Sequence, residues 1–260
     1  MTPHNLAASY FEHGVEGQIA DVFRVALTGA TPGEQVYDVG QNLGFFTLLA
    51  ASLGAQVSSF DPQAQCIRHM REILTTKENA HLASRIAATN VGIGKPGWLR
   101  SPPGSCDGGY SAGAQRPVEM AAEVGDSSNI ISVPLHSLLP PRERLRLLKV
   151  DTEGAEVPTL RDAAVLARAG RLDHLVVELL PRAWESHGDA RAKGVAALEA
   201  MASHAHTTLL LEDPTPFSFT HAVWPPPPGV RGPTYANFSM ADLVDDRLRT
   251  QAGCNLWFAF

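Results

Sequence analysis

Two short segments contain the residues best suited to chemistry. The first, Asp38 to Gly44, reads Asp-Val-Gly-Gln-Asn-Leu-Gly, and the second, Lys149 to Glu156, reads Lys-Val-Asp-Thr-Glu-Gly-Ala-Glu. Gly40 and Gly44 allow the backbone to turn tightly and to approach a ligand closely. The free N–H groups of a helix that starts after such a turn attract anionic groups. The first segment therefore predicts a turn that binds a small molecule.

The carboxylate of Asp38 distinguishes this turn from a dinucleotide-binding turn. Asp38 stands where a dinucleotide fingerprint has its first glycine. A carboxylate there repels a pyrophosphate, but it suits a ligand that carries an ammonium group. The turn thus indicates S-adenosylmethionine (SAM) rather than NAD as the ligand, with Asp38, Gly40, Asn42 and Gly44 as candidate binding residues. Taken alone, the segment is also compatible with an ordinary turn.

Two strand ends downstream add candidate cofactor contacts. A strand predicted over residues 56–60 ends at Asp61, and a strand over residues 85–90 ends at Asn90. An acid about twenty positions after the glycines, at the end of the second strand, typically binds a ribose diol. In α/β folds that bind an adenosine cofactor, the end of the third strand usually contacts the adenine or its neighbours. Because Asp61 precedes a proline, a plain turn starter is its alternative interpretation.

The second segment and a later strand supply the candidate catalytic groups. Methyl transfer from SAM needs an aligned acceptor, and an acceptor that loses a proton also needs a base. Asp151, Glu153 and Glu178 each close a predicted strand or the turn after it, so we expect them in one pocket facing the transferred methyl group. Asp151 is also a candidate cofactor contact. Clustered carboxylates raise one another's pKa, which would suit one of them to accept a proton. No loop pattern dedicated to a cation is present, and no metal site is predicted.

Two further candidates each have a structural alternative. Lys149 and Asp151 point to the same side of their strand, and Lys149 either takes part in catalysis or neutralises the carboxylates. His136 either serves as the general base, since its unperturbed pKa is near neutral, or is hydrogen-bonded locally at a strand end. Glu153 and Glu156 span the turn into a helix, where one of them could cap the helix start.

Strands and helices alternate along the chain, and this alternation must position all of these residues. It predicts an α/β fold with a parallel sheet, whose ligands bind outside the carboxyl ends of the strands. The predicted helices cover residues 16–27, 45–53, 63–76, 158–169 and 189–204, and the predicted strands cover residues 35–39, 56–60, 85–90, 130–134, 145–151, 174–180, 207–212 and 254–260.

Composition narrows the class of partner. The chain has 260 residues, 44% of them hydrophobic, and a formal net charge of −6. Nucleic-acid-binding domains usually have a basic face, so a small-molecule acceptor is favoured and nucleic acid is not expected. No apolar run is long enough to span a membrane, and no signal peptide is visible. Cys66, Cys106 and Cys254 are odd in number and widely spaced, so no disulfide is predicted. A cytoplasmic protein is expected, unless the chain is a domain of a longer, targeted protein.

The segments Val36–Pro62, Lys149–Glu156 and Val176–Glu178 together resemble the FkbM-type SAM-dependent methyltransferases. The shared patterns are D-x-G-x-N-x-G, a strand ending in an acid and proline, K-[IV]-D-x-E-G-x-E, and a later strand ending in Glu. The resemblance covers about residues 12–180. It implies a class I Rossmann-like methyltransferase fold, with a mostly parallel seven-stranded sheet and helices on both faces, which usually methylates a hydroxyl oxygen. It also places an acid such as Glu16 near the pocket entrance.

The chain departs from this family at three positions. Gln41 stands where alanine is common, Asp61 where glutamate is commoner, and His136 where aspartate is usual. The cofactor prediction is unaffected by these departures, whereas the identity of the acceptor stays open.

We predict a single methyltransferase domain over residues 1–260, with a loose arm at 1–11 and a long Gly/Pro-rich loop at 96–129. That loop, which contains Gly108 to Ser111, is either an acceptor lid or a disordered insertion. The favoured function is SAM-dependent O-methylation of a small metabolite, sugar or lipid-linked hydroxyl. One alternative is a catalytically silent SAM- or nucleotide-binding module that acts as a partner or regulatory domain. The other, an NAD-dependent oxidoreductase, is disfavoured by Asp38.

Overall fold

The structure is a computed structural model that describes residues 17–100, 106, 129–211 and 221–260. The expected arm at residues 1–11, the entrance acid Glu16 and the expected lid residues Gly108 to Ser111 lie outside the described residues.

The described elements alternate much as the sequence predicts. Each predicted strand and helix is present with small shifts at its ends, and six further elements were not predicted: β4, β5, β10, β11, α5 and α7. The elements are α1 (Gly17–Leu27), β1 (Gln35–Val39), α2 (Phe45–Ser52), β2 (Gln56–Asp61), α3 (Ala64–Ile73), β3 (Ile86–Asn90), β4 (Gly92–Ile93), β5 (Gly97–Arg100), β6 (Asn129–Val133), β7 (Leu145–Val150), α4 (Glu156–Arg168), β8 (Leu172–Leu179), α5 (Pro181–Trp184), α6 (Arg191–Ala202), β9 (Thr207–Leu210), β10 (Ala222–Trp224), β11 (Thr234–Ala236), α7 (Met240–Thr250) and β12 (Cys254–Ala259).

The main sheet has nine strands in the order β10-β11-β9-β12-β8-β7-β1-β2-β3. The pairs β1–β2, β1–β7, β2–β3 and β7–β8 are parallel, whereas β12 runs antiparallel to both of its neighbours. The predicted seven strands are therefore present, and β10 and β11 extend their edge. Because β1 lies between β2 and β7, the strand order reverses there, and such a reversal is where open α/β sheets bind ligands.

Alternation of side chains along each strand builds two apolar layers, one on each face of the sheet. Leu148 packs in the layer that also contains Leu160 of α4 and Leu243 of α7. Its neighbour Leu147 packs in the other layer, with Phe23 of α1. Both faces of the sheet are thus covered by helices, which leaves the ends of the strands for a functional site.

The strand predicted near residues 130–134 does not join the main sheet. It is β6, which pairs with β4 and β5 in a separate three-stranded sheet. Alternation along a short strand does not specify its partners, so this second sheet was not apparent from the sequence. In the part of the chain that the structure describes, no helix is both long enough and apolar enough to cross a membrane.

The expectation that no cysteines pair is wrong. Cys66, at the start of α3, and Cys106 form a disulfide, while the side chain of Cys254 is buried. Disulfides persist mainly in oxidising compartments, so the cysteines give no support to the expected cytoplasmic location.

Candidate active site

The turn after β1 needs glycine for two physical reasons. Gly40 has φ 82° and Gly44 has φ 83°, a backbone region that favours glycine. A Cβ atom on Gly40 would lie 1.7 Å from the carbonyl oxygen of Asp151. Gly40 therefore allows the turn after β1 to contact the turn after β7, which brings the two chemistry-bearing segments together.

Asp61 links the end of β2 to this turn. Its Oδ2 accepts a hydrogen bond from the backbone N–H of Asn42 at 2.9 Å, and its Oδ1 accepts one from Gln63 at 2.8 Å. Burial raises the pKa of Asp61 to about 6, although these two bonds oppose the shift. Each carboxylate oxygen can accept a second hydrogen bond, so Asp61 keeps capacity for a ligand.

Strand register brings Lys149 between two carboxylates. Asp38 and Lys149 are register partners across β1 and β7. The Nζ of Lys149 lies 2.9 Å from Asp151 Oδ2 and 3.8 Å from Asp38 Oδ1. Thr47 donates a hydrogen bond to Asp38 Oδ2 at 2.7 Å. Burial raises the pKa of Asp38, and the ammonium of Lys149 opposes that rise.

Asp151 also contacts Glu178, which follows the register partner of Val150 in the neighbouring strand β8. Burial is the main cause that raises the pKa of Glu178 to about 9, followed by the charge of Asp151 and a hydrogen bond with it. At neutral pH Glu178 therefore holds a proton and donates it in the hydrogen bond to the Asp151 carboxylate.

The turn after β7 presents Glu153 and is held by Glu156. Glu153 has φ 53°, which is uncommon for a residue other than glycine and is often found at functional sites. Burial, and then the charge of Asp151, raise the pKa of Glu153 to about 7. The buried Glu156 accepts hydrogen bonds from the N–H of Gly154 at 2.5 Å and from Trp184 Nε1 at 2.8 Å. Glu156 therefore holds the turn that precedes α4, whereas the helix cap expected from Glu153 or Glu156 stays a prediction.

A cavity opens at this edge of the sheet, with about 880 Å³ of empty space counted out to its open mouth. Its walls come from the turn after β1, the end of β2, the small sheet of β4, β5 and β6, the turn after β7, and the chain between α5 and α6. Because open α/β sheets bind ligands outside the carboxyl ends of their strands, this cavity is the candidate small-molecule site.

The structure divides the predicted site residues into three groups. Five of them line the cavity: Gly40, Asn42, Asp61, Asp151 and Glu153. Five others lie behind the lining and support it through the contacts already described or through the backbone: Asp38, Gly44, Asn90, Lys149 and Glu178. Asn90, for example, donates a hydrogen bond from Nδ2 to the carbonyl oxygen of Asp61 at 2.9 Å.

Two expectations about this second group need correction. Asp38 is fully buried against Thr47 and Lys149, so it lies beneath the cavity and does not offer its carboxylate directly to a ligand. Glu178 contacts Asp151 but is not among the described residues that line the cavity. Lys149 lies between the carboxylates of Asp38 and Asp151, as its structural alternative expects, and its catalytic role stays a prediction.

The third group contains only His136, for which the expectation of a place in the pocket is wrong. Its side chain is 63% exposed, and Nδ1 lies 3.0 Å from Asp162 Oδ2 of α4. β6 itself contributes Ser132 to the cavity lining, but the short turn that follows it, Leu135–Ser137, places His136 beside α4.

Three titratable residues of the lining were not predicted from the sequence: Lys95, His187 and Asp189. Lys95 donates a hydrogen bond to the carbonyl oxygen of His187 at 2.7 Å and lies 3.2 Å from Asp189 Oδ1. No local motif predicts that these residues line the cavity, because they come from two loops that are far apart in the chain.

The lining suits an adenosine-containing ligand. Asp61 offers acceptors for a ribose diol, and Phe60, Val91 and Ile93 offer apolar surface for a base. Among the described residues, no group of three or more His, Cys, Asp or Glu side chains is arranged to hold a metal ion.

The strand order and the cavity at the carboxyl ends of the parallel strands are those of the class I Rossmann-like methyltransferase fold that the motifs imply. The profile of the methyltransferase FkbM domain matches residues 38–201, which is more than half of the chain. The protein therefore belongs to the FkbM methyltransferase family, as its motifs predicted. Among proteins with curated functions, no match to the sequence was found.

Solved structures with similar folds are distant in sequence. Methyltransferase FkbM from Methylobacillus flagellatus KT is 16% identical with a TM-score of 0.38; the match covers 58% of this chain and 35% of that one, so this chain spans about a third of its length. The C-terminal domain of precorrin-6Y C5,15-methyltransferase from Rhodobacter capsulatus is 12% identical over 93% of this chain and 86% of that one, with a TM-score of 0.42. An rRNA methylase from Streptococcus thermophilus is 11% identical over 93% and 95%, also with a TM-score of 0.42.

Proposed function

We propose that the protein is a SAM-dependent methyltransferase that acts on a hydroxyl oxygen of a small-molecule acceptor. The observation that carries this proposal is Glu153, a carboxyl with a pKa of about 7 on the wall of the cavity. An ideal general base has a pKa near the working pH. A hydroxyl acceptor needs such a base, because its proton must leave as the oxygen forms its new bond.

The residues that would hold the cofactor are those of the turn after β1 and the end of β2. Asp61 would accept hydrogen bonds from the ribose hydroxyls. The backbone around Gly40 and Asn42 would form one wall of the cofactor site. SAM, when bound, supplies an electrophilic methyl group on a sulfonium.

The acidic cluster of Asp151, Glu153 and Glu178 would prepare the base. Together with burial, the negative charge of Asp151 raises the pKa of Glu153, and the ammonium of Lys149 opposes that rise. Because Glu178 is neutral at pH 7, the cluster is less repulsive than its three carboxyls suggest. Glu153 would then take the hydroxyl proton, while the apolar part of the lining excludes water that could compete for it.

An acceptor screen tests this function. The purified chain is incubated with SAM and a panel of alcohols, phenols and glycosides, and S-adenosylhomocysteine (SAH) is measured. For each active acceptor, NMR identifies the atom that carries the new methyl group. A methyl ether is the expected product. Methylation at nitrogen or carbon would contradict the hydroxyl assignment, and SAM binding with no SAH from any acceptor would favour the catalytically silent module.

Replacement of Asp61 tests the cofactor contacts. In Asp61→Ala we expect SAH to bind roughly 10- to 100-fold more weakly, because hydrogen bonds to a charged group contribute about 1.5–3 kcal/mol. The measurement is calorimetric titration with SAH. Asp61→Asn, which keeps one acceptor oxygen, should lose less, and Asp162→Ala on the outer face should lose nothing. An unchanged dissociation constant in Asp61→Ala would show that Asp61 only braces the turn.

A further inference from the structure

On the cavity wall, Asp189 pairs with the more exposed Lys95, and its own carboxylate is buried. Asp189 is 3% exposed, follows Gly188 in a left-handed turn with φ 72°, and comes just before α6. It does not cap that helix, whose N-terminal cap position is Ala190 and has no side-chain cap hydrogen bond. A carboxylate is costly to bury unless its oxygens are satisfied. Its position therefore requires another explanation.

One oxygen of this carboxylate is left without a partner. Asp189 Oδ1 lies 3.2 Å from Lys95 Nζ. Asp189 Oδ2 is buried and has no hydrogen-bond partner among the described residues. Lys95 Nζ donates to the carbonyl oxygen of His187 and pairs with Asp189, and a lysine ammonium has three protons. The pair therefore has one buried acceptor that no described group satisfies and one further donor, and both residues line the cavity.

A donor beside an acceptor complements a pair of neighbouring hydroxyl groups. One hydroxyl can donate to Asp189 Oδ2, and its own oxygen or that of its neighbour can accept from Lys95. Because the charge of Lys95 is already balanced by Asp189, the pair offers little attraction to an anion. The apolar side chains of Ile93, Leu99 and Pro158 on the same cavity wall suit the C–H face of a ring.

We propose that Lys95 and Asp189 form an acceptor subsite for a neutral, polyhydroxylated molecule such as a sugar or cyclitol. The hydroxyl next to the one that is methylated binds Asp189. This inference rests on the proposed function, since it assigns the acceptor for the same cavity. It makes Asp189 a residue that selects among hydroxyl acceptors, with no part in cofactor binding.

The test compares acceptor kinetics with cofactor affinity in matched variants of the whole chain. The acceptors are the methyl glycosides of glucose, mannose, galactose and rhamnose, myo-inositol, glucose 6-phosphate and methyl glucuronide, with cyclohexanol and benzyl alcohol as single-hydroxyl probes. The variants are Asp189→Asn and Lys95→Met. Their controls are Asp245→Asn, which breaks an exposed ion pair with Arg191, and Lys193→Met on the outer side of α6.

We expect neutral glycosides or the cyclitol to be turned over in preference to the anionic and single-hydroxyl probes. Asp189→Asn should lower kcat/KM for the active glycoside by roughly 10- to 100-fold, mainly through KM, because a hydrogen bond to a charged group is lost. Lys95→Met should cause a smaller loss, and the controls none. Calorimetry should give the same SAH dissociation constant for all variants, which also verifies that each one is folded.

Deoxy analogues of the active glycoside separate recognition from a structural effect. The analogue that lacks the neighbouring hydroxyl should lose activity with the wild-type chain but lose nothing more with Asp189→Asn. Equal turnover of single-hydroxyl probes, or an Asp189→Asn variant with unchanged glycoside kinetics, would overturn the subsite while SAH production still supported the proposed function. If SAH binds but no probe yields product, the polyol assignment is wrong. If SAH does not bind, the proposed function fails and the subsite with it.

Discussion

Glu153→Gln is expected to lower turnover by about 10²-fold or more, with little change in SAH affinity. The substitution keeps the size and polarity of the side chain but removes its ability to take a proton. Burial and the charge of Asp151 raise the pKa of Glu153 to about 7. Below that pH the carboxyl of the free enzyme already holds a proton, so kcat/KM should rise with pH and level off above about 7.

The same pH profile provides the control. In Glu153→Gln the residual kcat/KM should no longer rise through neutral pH. Glu178→Gln is the matched comparison, because its amide can still donate to Asp151 as the protonated Glu178 does, and we expect a much smaller loss of turnover. A Glu153→Gln variant with full turnover and an unchanged pH profile would place the base elsewhere.

Lys149→Met is expected to lower the free energy of unfolding by about 3–5 kcal/mol, the usual result of removing one partner from a buried ion pair. The side chain of Lys149 is 5% exposed and that of Asp38 is 1% exposed. Methionine fills much of the same space and can still contact Phe46, whose ring centroid lies 5.1 Å from the Lys149 Nζ. Chemical denaturation at neutral pH measures the loss.

The dependence of this loss on pH identifies its cause. Burial raises the pKa of Asp38 in the folded chain above its value in the unfolded chain. Asp38 therefore adds stability at pH values below its unfolded-state pKa, and this contribution is lost as the pH rises through its folded-state pKa. The deficit of Lys149→Met should therefore shrink as the pH is lowered.

A double variant tests the pair itself. Lys149→Met combined with Asp38→Asn should be more stable than Lys149→Met alone, since the asparagine oxygen can still accept from Thr47. Lys193→Met, at an exposed position, should change stability by less than about 0.5 kcal/mol. If Lys149→Met has the same free energy of unfolding as the wild type at all pH values, the buried ion pair does not stabilise the fold.

The site was predictable where local sequence sets the geometry. Gly40 and Asp61 sit at fixed positions in one strand–turn–helix–strand unit, so their meeting at the cavity follows from the order of elements. Asp151 and Glu153 follow the adjacent parallel strand, whose carboxyl end lies on the same edge. These inferences need only the direction of the strands.

The rest depends on contacts that spacing does not encode. Asp189 and Lys95 meet through two loops, and the pairing of Cys66 with Cys106 likewise depends on how a long loop closes. His136 lies outside the site because the turn after β6, a strand of the small sheet, places it beside Asp162 of α4. Helix α7 was not predicted because the buried Asp246 and Arg247 interrupt its apolar face. Strands β10 and β11 were not predicted because three residues each are too few to show a hydrophobic period.

The most direct test of the account is calorimetric titration of the purified chain with SAM, SAH and NADH. We expect SAM and SAH to bind with micromolar dissociation constants, which correspond to a binding free energy of about −8 kcal/mol, and we expect NADH not to bind. The cavity beside Gly40 and Asp61 is the site whose occupancy this measures, so Asp61→Ala should weaken both SAM and SAH. Binding of NADH without binding of SAM would contradict the central claim.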